Sequence, residues 1–246
     1  MSTVLLPPSA GQLAMPAQVR YPDHTDLPDT DGSIVINFCE APQTRLLTEA
    51  IDPILKKLHP DGQFAIGQDS GIYFRPTNPP LEGCRAPDWF YVPDVPPMLP
   101  GGVIRRSYVM WQEIVAPRLI VEYVSGDGSE ERDRTPFKGK FWIYEQAIRA
   151  PFYDIHDHFR STLEMYELVG GSYQPIRPNQ RGHFPIPPMG VELGKWVGWV
   201  GNTTGTWARF FDETGNLLPS DAERADQAEA EVARLRDLLK QAGVNP

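Results

Sequence analysis

The sequence predicts an α/β domain with a mixed central sheet flanked by helices, antiparallel additions and a C-terminal helix. Three observations carry this. Apolar residues recur at three- and four-residue steps from Pro42 to Leu58, the period of an amphipathic helix. The unbroken Leu119-Ile120-Val121 run, a helical stretch at 135–149 and a further apolar run from Pro151 to Ile155 alternate as strand, helix and strand do in a parallel crossover. Beyond Thr162, short apolar runs punctuated by Gly and Pro read as antiparallel strands.

Taken in order, residues 1–33 are rich in Pro, Ser, Asp and Gly without a period, and read as an irregular arm with few core contacts. The main domain then spans 34–218. Its first helix places Leu46, Leu47, Ala50, Ile51, Ile54, Leu55 and Leu58 on one stripe. Gln63–Ile66, Gly71–Arg75 and Trp89–Val92, rich in aromatic and β-branched residues, read as three successive strands. A loop containing Pro96, Pro97, Pro100, Gly101 and Gly102 follows, and Arg118–Val124 is the expected centre of the sheet. In the second helix, Thr135–Arg149, the apolar stripe is Phe137, Phe141, Tyr144 and Ile148. Thr162–Leu168 and Ser172–Ile176 flank Gly170-Gly171, a hairpin signal, and further strands to Phe211 are expected to extend the same sheet. In the remaining segment, 219–246, Ser220–Ala242 is a charged helix whose Ala225, Ala228, Val232, Leu235, Leu239 and Ala242 form a heptad-like seam. That seam fits either packing on its own domain or self-association.

Composition narrows the classes. With 246 residues, 41% of them hydrophobic, the chain can bury a proper core. No run approaches the roughly 18 to 20 apolar residues of a membrane span, and the start lacks a secretory pattern, so a cytoplasmic location is expected. Cys39 and Cys84 stand far apart and suggest neither a disulfide framework nor a thiolate zinc site. The formal charge of −9 counts against a nucleic-acid partner. Its distribution weakens that objection, since Asp23, Asp26, Asp29, Asp31 and Glu40 crowd residues 21–40, which hold no Lys or Arg. There is no G-x-S-x-G elbow, no phosphate-cradling loop ending in G-K-[ST], and no G-x-G-x-x-G after a strand.

The chemistry is concentrated in two acids placed where strands are otherwise apolar. Asp88 opens Trp89-Phe90-Tyr91-Val92, and Glu122 interrupts the run that begins at Leu119. Burying a carboxylate costs several kcal/mol unless something compensates, and a divalent cation is one compensation. Each acid also has a structural reading, Asp88 as the residue that starts a strand after Pro87 and Glu122 as the partner of an Arg. Two carboxylates from adjacent strands suit Mg²⁺, with Mn²⁺ as a substitute, because Mg²⁺ keeps several waters and takes one or two protein carboxylates beside phosphate. Lys140 neighbours 137, 141 and 144 on the helix stripe and can either snorkel to the edge or turn toward the acids. Lys138 neighbours Trp142, Glu145 and Arg149 instead.

Ala86-Pro87-Asp88, Ile120-Val121-Glu122-Tyr123-Val124-Ser125 and Lys140-x-x-x-Tyr144 together resemble the Uma-type putative restriction endonuclease family of the PD-(D/E)XK nuclease superfamily. Tyr21-Pro22-Asp23, Gly67-Gln68-Asp69, Gln112-Glu113 before Ala116-Pro117 and the Ala/Glu/Arg-rich terminal helix also look like that family, so the similarity runs from Tyr21 to Phe211. The resemblance implies a restriction-endonuclease-like fold with Asp88 and Glu122 as metal ligands. It implies Lys140 as the lysine that orients the attacking water or stabilises the charge on phosphorus. Asp69 and Glu49 are further acids it brings into consideration, Glu49 for holding a metal-bound water. The superfamily's lysine two residues after the acid is replaced here by Val124, and the lysine comes from the next helix, where Lys138 is the alternative. The implied function is metal-dependent hydrolysis of nucleic acid, DNA above all, by a metal-activated water. The superfamily's habits and the terminal seam together imply a homodimer.

Two rival readings stay open. Asp154, His156 and His158 alternate on one face of a strand and could form a different metal site, or could be solvated at an exposed strand end. Alternatively, the fold is an inactive scaffold that recruits partners through the terminal helix or through Trp196, Trp199, Trp207, Phe210 and Phe211.

Overall fold

The structure, a computed structural model, describes residues 20–23, 26–27 and 38–243. The first strands are β1 (Phe64–Gln68), β2 (Ile72–Tyr73), β3 (Cys84–Arg85), β4 (Trp89–Pro93), β5 (Tyr108–Val109) and β6 (Leu119–Tyr123). They are followed by β7 (Phe152–Asp157), β8 (Thr162–Val169), β9 (Ser172–Pro175), β10 (Phe184–Ile186), β11 (Val191–Val200) and β12 (Thr203–Asp212). The helices are α1 (Glu40–Leu58), α2 (Met110–Glu113), α3 (Lys140–Trp142), which runs on as a π-helix over Ile143–Ile148, and α4 (Asp221–Gln241).

The fold is mixed α/β. Its central sheet has the order β1-β4-β6-β7-β8-β9, in which β6 and β7 are parallel and every other pair is antiparallel. All five residues of β6 are buried, which explains its apolar run. One face of the sheet carries Leu119, Val121 and Tyr123 and packs against Leu47, Ile51 and Leu55 of α1. The other carries Ile120 and Val124 and packs against Phe141, Tyr144 and Ile148.

Two expectations are corrected, and one expected strand takes a separate place. The Gly71–Arg75 run does not join the central sheet. Its two strand residues pair with β3 and β5 in a small separate sheet, whose cluster of Tyr73, Cys84 and Val109 also takes in Leu27 of the expected arm. The strands after β9 do not extend the central sheet either. β10, β11 and β12 form their own antiparallel sheet, because Phe184, Ile186, Val191, Leu193, Ala208 and Phe210 face inward and complete the core around α1. Finally, the second helix begins at Lys140 and not at Thr135. Phe137 has a left-handed backbone (φ 63°), and the backbone of Gly139 passes so close to the Asp133 carbonyl that a Cβ there would lie 2.1 Å from it. A helix cannot run through that turn, so Phe137 is exposed and lies outside the buried stripe.

α4 opens with a capping box in which the Ser220 hydroxyl accepts from Glu223 N–H and Glu223 accepts from Ser220 N–H. Buried Arg209 pairs with Glu223 at 2.6 Å and fixes that first turn. None of the helix's residues is buried, and beyond the first turn, from Ala225 onward, all of its residues are exposed.

Candidate active site

β4 and β6 run antiparallel with Trp89 opposite Val121 and Phe90 opposite Ile120. One more step along the ladder sets Asp88 opposite Glu122. Strand alternation then turns both carboxylates to the α3 face, the face of Phe90, Ile120 and Val124. The Gly139 turn delivers Lys140 at the start of α3, and its Nζ lies 3.0 Å from Glu122 Oε2. The Tyr144 hydroxyl donates to Glu122 Oε1. Both oxygens of this wholly buried carboxylate are therefore bonded. Asp88 Oδ2 accepts the Tyr123 N–H, and Oδ1 accepts no hydrogen bond from a described residue.

The centre holds more negative charge than one ammonium can offset. Lys140 Nζ is also 3.5 Å from Glu130 Oε1 and 3.9 Å from Glu131 Oε1. Burial opposes the charge on Lys140, but Glu122, Glu130 and Asp88 outweigh it and hold its pKa above the usual lysine value. Lys140 therefore remains an ammonium. Burial, then the charge of Glu122, pushes the Asp88 carboxyl well above the usual range, while Tyr123 N–H and Lys140 pull the other way and Glu40 adds to the rise. Glu131 is wholly buried and accepts from Ser125 N–H at 3.4 Å and the Ser125 hydroxyl at 3.3 Å; its Oε2 has no partner among the described residues. Burial raises its pKa as well.

Asp88, Glu122 and Lys140 are thus brought together. Asp69 lies alongside, exposed, with a left-handed backbone (φ 45°) and its N–H bonded to the Asp88 carbonyl at 3.3 Å. Glu49 is engaged elsewhere: its Oε1 is 3.7 Å from Arg45 and its Oε2 accepts the Asp221 N–H at 3.2 Å, so it ties α1 to α4. Lys138 is exposed, and its carbonyl accepts a bond from Arg85. Sequence reasoning missed Glu40, Glu130, Glu131 and the hydroxyl of Tyr144. Glu130 and Glu131 lie in a Gly- and Ser-rich stretch that reads as a solvated loop, and only the return of that loop to Lys140 reveals them.

Asp154 and His156 are not solvated. Both are wholly buried on the opposite sheet face, beside Val121 and Tyr123 in the β6–β7 register. Neither Asp154 oxygen has a partner among the described residues, and burial lifts its carboxyl well above the usual range. His156 Nδ1 lies 3.2 Å from the Thr162 carbonyl, Nε2 has no partner, and burial followed by His158 lowers its pKa to about 4. No group of three or more His, Cys, Asp or Glu side chains among the described residues is placed to hold a metal by itself.

Two carboxylates and a lysine on one face of a mixed sheet define the class of centre. The family model for Uma2, putative restriction endonuclease, matches residues 21–199, and the chain belongs to that family. A crystal structure described as a putative nuclease belonging to DUF820 from Anabaena variabilis ATCC 29413 is similar, with 13% identity over 60% of this chain and 73% of that one and a TM-score of 0.41. None of the curated proteins matches the chain. No helix among the described residues is long and apolar enough to cross a membrane.

Proposed function

We propose that the protein is a divalent-cation-dependent endonuclease whose centre is Asp88, Glu122 and Lys140. The observation that carries the reading is the meeting of three side chains, remote in sequence, on one sheet face with an excess of negative charge. Family membership supports the nuclease class. The donor set fits a hard cation: two carboxylates from adjacent strands, one of them with its pKa raised by burial and then by the charge of the other. Asp88 and Glu122 would hold Mg²⁺ or Mn²⁺, which supplies positive charge against the scissile phosphate. Lys140, kept as an ammonium, orients the attacking water by hydrogen bonding and stabilises charge that develops on the phosphoryl oxygens. Tyr144 fixes Glu122, and Tyr123 N–H fixes Asp88, so neither carboxylate must reorganise during the reaction. The substrate in this reading is nucleic acid, with DNA the first candidate.

A homodimer belongs to the same reading. The seam of α4 is exposed, with Val232 and Leu235 spaced as a and d of a heptad, a pairing that favours two parallel strands. In that register Glu231 faces the partner's Arg236, a complementary contact made twice per dimer.

The test is incubation of the purified protein with single- and double-stranded DNA and RNA under Mg²⁺ and Mn²⁺. Cleavage is expected, and it should be lost in Asp88→Ala and Lys140→Ala. Undiminished cleavage in purified Asp88→Ala would refute the assignment. Calorimetry that finds no divalent-cation binding, together with no cleavage, would favour an inactive scaffold.

A further inference from the structure

Three residues before Lys140, the chain presents Phe137 to solvent. Its side chain is 54% exposed and its backbone is left-handed, a conformation that bulky residues seldom adopt. Neither feature serves the core. An exposed aromatic ring on a strained backbone beside a catalytic centre is the kind of outlier that points to a ligand.

The ring's surroundings say which ligand. Phe137 leans on Trp142 with ring centroids 4.5 Å apart, and the guanidinium of Arg75 lies 5.2 Å from its centroid. Arg75 Nε is buried without a partner among the described residues. Arg85 bonds the Lys138 carbonyl and pins the segment against β3. In a chain of net charge −9, residues 132–140 carry Arg132, Arg134, Lys138 and Lys140 against a single acid, Asp133. Arg132 is used by Glu164; Lys138 is exposed, and Arg134, lying over Phe141 at 3.6 Å and 3.8 Å from Glu145 Oε1, keeps its side chain 59% exposed. Glu130 and Glu131 beside Lys140, Asp133, and Glu145 beside Arg134 oppose this basic surface, to which Arg75 and Arg85 add two further cations.

We propose that Phe137 is a stacking platform for an unpaired nucleobase, with Arg134 and Lys138 receiving the adjoining phosphates, so that the centre acts on single-stranded nucleic acid. A base pair inside a duplex has both faces stacked on its neighbours, whereas a base in a single strand can leave the stack and offer a face to a side chain. Aromatic rings interleaved with cations are how proteins hold single strands without reading their sequence. The inference rests on the reading of Asp88, Glu122 and Lys140 as a phosphodiester-cleaving centre, and it can fail separately from that reading.

The experiment measures fluorescence anisotropy of fluorescein-labelled oligodeoxyuridylate and oligouridylate of about twelve nucleotides, within the usual single-strand site range, and of a hairpin duplex of matching length. The full-length protein is used in EDTA, so that binding is read without cleavage. Expected is tighter binding of at least one single strand than of the duplex. Phe137→Ala should weaken that binding about tenfold, with Phe137→Trp restoring it. The tighter of the two single strands identifies the sugar. An unchanged single-strand affinity in Phe137→Ala overturns the proposal, as does a parent protein that prefers the duplex. Phe137-dependent binding with no cleavage under Mg²⁺ or Mn²⁺ would retain the platform and remove the hydrolytic reading.

Discussion

Replacing Lys140 by Met removes the cation 3.0 Å from a wholly buried Glu122 and leaves that carboxylate with the Tyr144 hydroxyl alone. Breaking a buried pair in this way costs about 3–5 kcal/mol. The cost has a ceiling, because the stranded glutamate can take up a proton. Protonating an ordinary glutamate of pKa about 4.3 at pH 7 takes about 3.7 kcal/mol, at about 1.36 kcal/mol per pH unit. The expected loss at pH 7 is therefore about 3 kcal/mol, a drop in Tm of roughly 6–12 °C for a domain of this size. It is the ionised form of the stranded carboxyl that costs the fold, so the penalty is present at high pH and fades as pH falls. At pH 5 the ceiling is about 1 kcal/mol, or roughly 2–4 °C. Thermal unfolding of Lys140→Met and parent, followed by circular dichroism from pH 5 to pH 8 in EDTA, measures the difference. Equal Tm values at pH 7, or a gap that does not narrow toward pH 5, would show that Lys140 does not neutralise a buried Glu122.

Asp88→Asn should raise the metal-free Tm at pH 7, because a carboxyl whose folded pKa is raised penalises the fold once ionised, and the gain should vanish near pH 4; the same variant should lose any Tm increase that Mg²⁺ gives the parent. Tyr144→Phe leaves Glu122 Oε1 without its donor and should cost about 1–3 kcal/mol in urea unfolding. His156, with its pKa lowered to about 4, favours the fold as the neutral ring, and that contribution is lost as pH falls from about 6.5 through 4. His156→Gln should accordingly flatten the acid limb of the stability curve over that window, by up to about 3 kcal/mol. Leu235→Asp should convert a dimer to a monomer in light scattering, and a parent protein that is monomeric at tens of micromolar would remove α4 from the account.

Much of this was legible in the sequence because burial leaves a local signature. The α1 stripe and the Leu119-Ile120-Val121 run announced a helix on one face and a strand covered on both. Asp88 and Glu122 stood out because an acid interrupts an apolar strand. What stayed hidden depends on returns of the chain that periodicity does not encode. Phe137 matched the helical spacing of Phe141 and Tyr144, and only the close passage of Gly139 past the Asp133 carbonyl takes it off the stripe. Glu131 looked like loop charge until the loop folded back and buried it near Lys140. The inward faces of β10 to β12 alternate as well as those of β8, so the pattern alone could not tell an added strand from a covering sheet.

The alternation of β6 and β7 also explains how two buried acidic sites coexist without interfering. Glu122 and Asp154 lie on neighbouring strands, in register one residue apart, and point to opposite faces. On the α1 face neither Asp154 oxygen has a partner among the described residues, and burial, then the charge of Glu164, lifts its carboxyl well above the usual range. On the α3 face Lys140 keeps its positive charge beside Glu122, while burial and then the charge of Glu122 raise the Asp88 carboxyl just before β4. That residue is the least buried of the three acids and has an oxygen that accepts no bond from a described residue. The same chemical group thus stands on one face with no bonded partner among the described residues and on the other within reach of an ammonium. What separates the two cases is one lysine, delivered by a turn that only glycine permits.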